Sequence, residues 1–224
     1  TPTEEEIVNT PTRTPTLPAD SVRVSLGHGA GAPGSTVQID VSLQSGGKDV
    51  AGTQNDIVFD PALINLTKTS DCKINPALGT SLPECEEDPP TAPCKNLERN
   101  LADCPAEGCP EGSQGLRRFR GLVFATGNLN SIPDGVLYTC TFTVTGQIAA
   151  TAILQNLNYG ASTPAGDPVL TVGGDGSIAV LGPTPTTGAS PTPTPTEEEI
   201  VNTPTRTPTL PADGVRVSLG HGAG

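Results

Sequence analysis

The chain has 224 residues, a net charge of −12 and a sequence pI near 4.4. This acidity makes nucleic acid and anionic membrane surfaces poor partners, and no apolar run is long enough to cross a bilayer. Trp and Met are absent, and the aromatics Phe59, Phe119, Phe124, Tyr138, Phe142 and Tyr159 all fall between residues 21 and 182, which marks that interval as a globular domain long enough to bury a core.

The chain opens in a Pro/Thr tract, and residues 1–31 recur at 194–224 with one difference, Ser21 against Gly214. The match continues through the non-repetitive VRVSLGHGAG, so it is a duplicated unit rather than slippage in a biased tract. The expected organisation is a linker at 1–20, a β-sandwich at 21–182, a second Pro/Thr linker at 183–213 and the first strand of another repeat at 214–224. On this reading the chain is a window of a longer repetitive polypeptide. Within the linker, Ile7 and Val8, repeated as Ile200 and Val201, are β-branched and apolar, which a pure spacer does not need. They are expected to add a short strand to a sheet edge of a neighbouring domain.

After the first linker, Val22, Val24 and Leu26 alternate with polar residues, the period of a half-buried strand. GHGAGAPG reads as a turn. Val37, Ile39, Val41 and Leu43 alternate over a longer strand. Residues 52–59 form another, closed by Asp60-Pro61, and 63–66 a short one. Strand signals resume at 116–126. At 135–145, Val136, Tyr138, Cys140, Phe142 and Val144 share one face and Leu137 lies on the other. Residues 149–157, 168–172 and 176–181 bring the total to about nine short strands, and no amphipathic helix of ordinary length interrupts them. The pattern is all-β, most simply a two-sheet sandwich.

Residues 70–115 break the alternation. They hold five of the six cysteines with many Pro, Asp and Glu residues, and read as an insertion held by its own crosslinks rather than by a core. Within it, KNLERNLADC fits one or two helical turns. The cysteines are Cys72, Cys85, Cys94, Cys104, Cys109 and Cys140. An even count beside Pro/Thr linkers favours disulfides in an oxidising, extracellular setting. Zinc sites want closer pairs, often with His; here the closest pair is Cys104/Cys109 and no His is near. Cys140 sits among core residues, so its partner must lie near the sheet, and Cys72, close behind the strand at 63–66, is the best candidate. Cys85–Cys94 and Cys104–Cys109 would then close local loops, one of fifteen possible pairings.

Few residues point to chemistry. His28 and its copy His221 are the only histidines, and they read as exposed loop residues. Asp and Glu are plentiful, but most lie in the insertion or the linkers, where solubility explains them. Gly173-Gly174-Asp175-Gly176 lacks the alternating oxygen ligands of a calcium loop and reads as a β-turn. Arg117, Arg118 and Arg120 read as an exposed polar face, and Asn65-Leu66-Thr67 is a sequon beside a strand. Better glycan acceptors are Thr184, Thr186, Thr192, Thr194 and Thr196, which neighbour Pro in an extended tract. No catalytic residue, cofactor site or metal site is assigned. An absence of Trp, with aromatics patterned for the core, argues against a sugar-binding platform.

STVQIDVSL at 35–43, DVAGTQNDIVFDPALINL at 49–66, IPDGVLYTCTFTV at 132–144 and GGDGSIAVL at 173–181 together resemble, in order and spacing, the cohesin domain. The resemblance covers roughly 22–181 and implies a nine-stranded jelly-roll β-sandwich whose family role is binding dockerin modules in extracellular scaffolds. The sequence departs from the family pattern in the insertion at 70–115. Two functions follow as expectations. One is a structural repeat of an extracellular surface or filament protein, with O-glycosylated linkers and neighbouring copies of the repeat as partners. The alternative is a scaffoldin-type cohesin that captures dockerin-bearing partners.

Overall fold

A computed structural model describes residues 20–182. Thirteen strands follow in chain order: β1 Val22–Leu26, β2 His28–Gly31, β3 Thr36–Gln44, β4 Gly52–Phe59, β5 Ile64–Asn65, β6 Cys72–Ile74, β7 Asn96–Asp103, β8 Arg117–Phe124, β9 Gly135–Val144, β10 Thr151–Ser162, β11 Pro168–Val169, β12 Thr171–Gly174 and β13 Gly176–Val180. The first sheet runs β12-β1-β3-β9-β5, with β6 also on β9, and the second runs β2-β13-β10-β4-β8-β7, with β11 on β10.

The first and last strands tie the two sheets together. β1 pairs with β12 and β2 with β13, both parallel. Each pair leaves one sheet and enters the other across a single residue, Gly27 on one side and Asp175 on the other. The crossing needs close backbone approach: a Cβ on Gly176 would meet the Gly27 carbonyl, and one on Gly173 would meet the Tyr159 ring. This corrects two sequence readings. GHGAGAPG is not all turn, because His28–Gly31 is a strand, and Gly173–Gly176 is the end of β12 and the start of β13 rather than a β-turn.

Between the sheets, the inward positions of β1, β3, β4, β8, β9, β10 and β13 fill one apolar core. Phe59 meets Phe142 edge-on at 5.3 Å, and Phe119 lies 6.0 Å from Tyr138, so both aromatic contacts join β9 to the opposite sheet. A hydrogen-bonded relay crosses the same core. The Tyr138 hydroxyl donates to Asn55 Oδ1 at 2.7 Å, Asn55 Nδ2 to Asn156 Oδ1 at 3.0 Å, and Asn156 Nδ2 to the Val24 carbonyl at 2.7 Å. Burial drives the Tyr138 pKa strongly upward, so it serves as a neutral donor. The β3–β9 register shifts between Val41 and Ser42, and Leu137 is fully buried while Val136 is only half-buried. Strict alternation had put Leu137 on the outer face.

The insertion is not a crosslinked loop set apart from the core. β6 pairs with β9, β7 pairs with β8 along its whole length, and Leu78 and Leu97 are buried. KNLERNLADC is therefore a strand rather than helical turns. Leu97 and Leu101 are four residues apart, a spacing that fits one helix face and equally one strand face. Eight backbone pairings to β8 decide between them.

Candidate functional site

The outer face of the second sheet should be wet, since the inner face already holds the core. On β4, Asn55, Ile57 and Phe59 turn inward, and Asp56 and Val58 therefore turn outward. Yet Asp56 is 0% exposed and Val58 only 1%. The second half of the insertion lies over Asp56. The Cys104–Cys109 disulfide closes a short loop, and Gly108 at its tip rests on Asp56 and Arg120 with a left-handed φ of +85°, leaving no room for a Cβ.

Beneath that loop lies a charged cluster. The Asp56 carboxylate accepts from Arg120 Nε at 2.7 Å, Arg120 Nη2 at 2.8 Å and Asn158 Nδ2 at 2.7 Å. Arg118 Nη1 is 3.8 Å from the same carboxylate, and Arg118 Nη2 donates to Asn100 Oδ1 at 2.6 Å. Asn158 Nδ2 also donates to the Gly108 carbonyl at 3.0 Å. The bidentate pair with Asp56 raises the Arg120 pKa above its usual value. A carboxylate held this way and closed from solvent is no free base, so the cluster's work is to fasten the loop to the sheet. Arg118 and Arg120 are thus not the exposed polar face that their alternation suggested. Arg117 is likewise engaged, donating to Asp103 at 2.7 Å and to Asn65 Oδ1 and the Leu66 carbonyl at 3.0 Å each.

The six cysteines form three disulfides, Cys72–Cys140, Cys85–Cys94 and Cys104–Cys109. Cys72 and Cys140 are register partners in the β6–β9 pair, fully buried in the sheet. The other two sit on either side of β7 in sequence and close the loops that lead into and out of it.

One surface is left open. β7 is the last strand of the second sheet and bonds only to β8. Its start is covered by a single bridge, Gly79 to Lys95, where the Lys95 amide donates to the Leu78 carbonyl at 2.6 Å. From Leu97 to Asp103 the far edge carries no backbone partner among the described residues. Where the 74–81 segment and β7 diverge there is a cleft of about 320 Å³ lined by Ile74, Thr80, Ser81, Lys95 and Arg99 among others, with no acidic side chain. Lys95 is 1% exposed, and its Nζ has no hydrogen-bond partner. Burial lowers its pKa from 10.5. Sequence reading passed over Lys95; the available signal was its place in CKNLER, beside a cysteine and in phase with Leu97 and Leu101.

The remaining candidates are dispersed. His28 is exposed on β2, with Nδ1 3.0 Å from Ser177 Oγ. Asp175 caps the strand crossing by accepting from the Asn156 amide at 2.8 Å. Tyr159 is 40% exposed, so the aromatics are not all core. Among the described residues no group of three or more His, Cys, Asp or Glu is placed to hold a metal ion, and no helix is long and apolar enough to cross a membrane. Ile7, Val8, Ile200, Val201 and the linker threonines Thr184, Thr186, Thr192, Thr194 and Thr196 lie outside the described residues.

No family model matches the chain, and no curated protein matches it in sequence. Solved structures do match in fold. CaCohA2 of Clostridium acetobutylicum is 17% identical with a TM-score of 0.51, covering 75% of this chain and 95% of its own. The seventh ScaB type I cohesin of Pseudobacteroides cellulosolvens is 14% identical with a TM-score of 0.51, covering 76% and 98%. A type I cohesin–dockerin complex of Clostridium thermocellum is 13% identical with a TM-score of 0.50, covering 72% and 100%. The domain at 20–182 therefore has the cohesin-like jelly-roll fold, elaborated by the disulfide-bonded insertion.

Proposed function

We propose that this chain is a structural repeat of an extracellular surface or filament protein. Cohesin-like sandwiches, each held by three disulfides, are strung on Pro/Thr linkers. The observation that carries this reading is the second copy of residues 1–31 at 194–224, which repeats the Pro/Thr tract and continues through the residues that form β1 and β2 in the first copy. The disulfides fit an oxidising compartment. The linker threonines Thr184, Thr186, Thr192, Thr194 and Thr196 carry O-glycans, and Ile200 and Val201 anchor the linker on a sheet edge of a neighbouring domain. At about 3.1 Å per residue in polyproline II, a linker of 31 residues reaches roughly 95 Å, more than twice the width of a domain this size. Electron microscopy of the native material tests the proposal. Fibres with a regular axial repeat support it; dispersed single domains refute it.

A second reading has its own support. One of the matching folds was solved in a cohesin–dockerin complex, so a binding module for dockerin-bearing partners is the alternative. Calcium-dependent capture of a dockerin by the purified chain would favour it.

A further inference from the structure

Of the strands that end a sheet, β7 is the longest, with eight residues against four in β2 and four in β12. It has no proline and no register shift against β8, so the backbone groups along its far edge form a regular row of the kind that another strand completes. The pairing with β8 fixes its two faces. Leu97 and Leu101 stand opposite Val123 and Phe119 and turn toward the core, so Arg99 and Asp103 share that face. Asn100 and Ala102, opposite Arg120 and Arg118, lie on the other face. Arg99, Asn100 and Asp103 are exposed, and Leu101 is only partly buried. Each charge keeps capacity for a further partner. Arg99 donates through Nη1 to the Cys72 carbonyl at 2.9 Å, and Asp103 accepts from Arg117 through one of its two oxygens.

The strand that fits this edge is the same strand reversed. Two identical edges pair antiparallel about a two-fold axis normal to the sheet, and residues directly opposite then share a face. Centred on Leu101, this pairing sets Arg99 of each copy opposite Asp103 of the other, leucine against leucine, and Asn100 opposite Ala102. Centred on Arg99 or Asp103, it sets like charges together. Centred on Asn100 or Ala102, it sets the charges against leucine or past the end of the strand. Charges on a sheet edge ordinarily keep like edges apart; here their spacing turns one reversed register attractive, since opposite charges directly across a strand pair stabilise it. We infer that the free edge of β7 receives β7 of a second copy of this domain, in antiparallel register centred on Leu101, with two Arg99–Asp103 ion pairs flanking the leucines. A contact over residues 99–103 is small and weak by itself. A polypeptide that repeats the domain multiplies it by avidity, so the contact ties chains side by side.

The 224-residue chain is enough to test this. Sedimentation equilibrium over a concentration series up to the millimolar range should show a reversible dimer. Hydrogen exchange read by mass spectrometry should show amides of residues 99–103 gaining protection as the dimer fills. Arg99→Asp sets like charges opposite each other and should weaken the dimer about tenfold or more. Asp103→Arg should do the same, and the two changes together should restore it. A chain that stays monomeric, a dimer in which residues 99–103 exchange no more slowly, or a dimer indifferent to charge reversal overturns the inference. Protection of these amides that does not vary with concentration means that the edge is covered within one chain, and it overturns the second copy as occupant. The exchange measurement uses the unaltered protein, so it decides the matter even where a variant fails to fold. Failure here leaves the repeat reading standing, because that reading rests on the duplicated sequence.

Discussion

Cys72–Cys140 is the disulfide on which stability should depend most, and the reason is the loop it closes. Its two cysteines are 68 residues apart, against 9 for Cys85–Cys94 and 5 for Cys104–Cys109. In the chain-entropy account a crosslink restricts the unfolded chain in proportion to the logarithm of loop length, which gives about 4 kcal/mol for the longest loop and about 2 kcal/mol for the shortest. The Cys72→Ala, Cys140→Ala protein should therefore lose about 4 kcal/mol. Both side chains are fully buried, so a small packing loss adds to this rather than offsetting it. For a domain of this size that is a fall in Tm of roughly 8–16 °C. Urea and thermal unfolding followed by circular dichroism measure it, with the Cys104→Ala, Cys109→Ala protein alongside. If the short-loop variant falls as far as the long-loop one, loop entropy is not what the β6–β9 bond supplies, and the reasoning is wrong.

Other outcomes follow from the interior. Tyr138→Phe strands the Asn55 acceptor inside the core and should cost about 1–3 kcal/mol, read in the same unfolding assay; a neutral result would mean that the Asn55–Asn156 relay does not need its donor. Asp56→Asn leaves the buried Arg118 guanidinium without its counter-charge and breaks the bidentate pair with half-buried Arg120, a loss of about 3 kcal/mol, with the Cys104–Cys109 loop opening first by hydrogen exchange at Gly108. Lys95 has a folded-state pKa below its unfolded value, so the unfolded chain binds the proton more tightly and stability should rise with pH from the lowered pKa up to 10.5. Lys95→Met should remove that rise and be more stable than the parent at neutral pH; an unchanged pH profile would show that the amine is not desolvated. For the linkers, the intact mass of the native protein should exceed the sequence mass by many hexose units, and a mass equal to the bare polypeptide would dispose of O-glycosylation at Thr184–Thr196.

The sequence alone determined which segments are strands wherever one face meets the core, because burial imposes a period of two that shows in the residues. Val37, Ile39, Val41 and Leu43, or Phe142 and Val144, could be read without coordinates, and so could the all-β class and the duplicated linker. It did not determine what covers the outer faces. Asp56, Arg118 and Arg120 obey the alternation of exposed residues, and Asp56 is buried and Arg120 half-buried because a loop some fifty residues further on in the chain from Asp56 folds over them. Nor did it fix β2, β6, β7 and β12, which are short, glycine-rich or ambiguous in period and become strands by pairing with a partner distant in sequence. Lys95 belongs with these. A lysine in an acidic, polar stretch looks solvated, and only the convergence of the 74–81 segment with β7 takes its amine out of water and leaves a strand edge free beside it. Local patterning records the solvent boundary of the core; long-range contacts decide which polar groups are drawn across that boundary, and no single stretch of the chain encodes them.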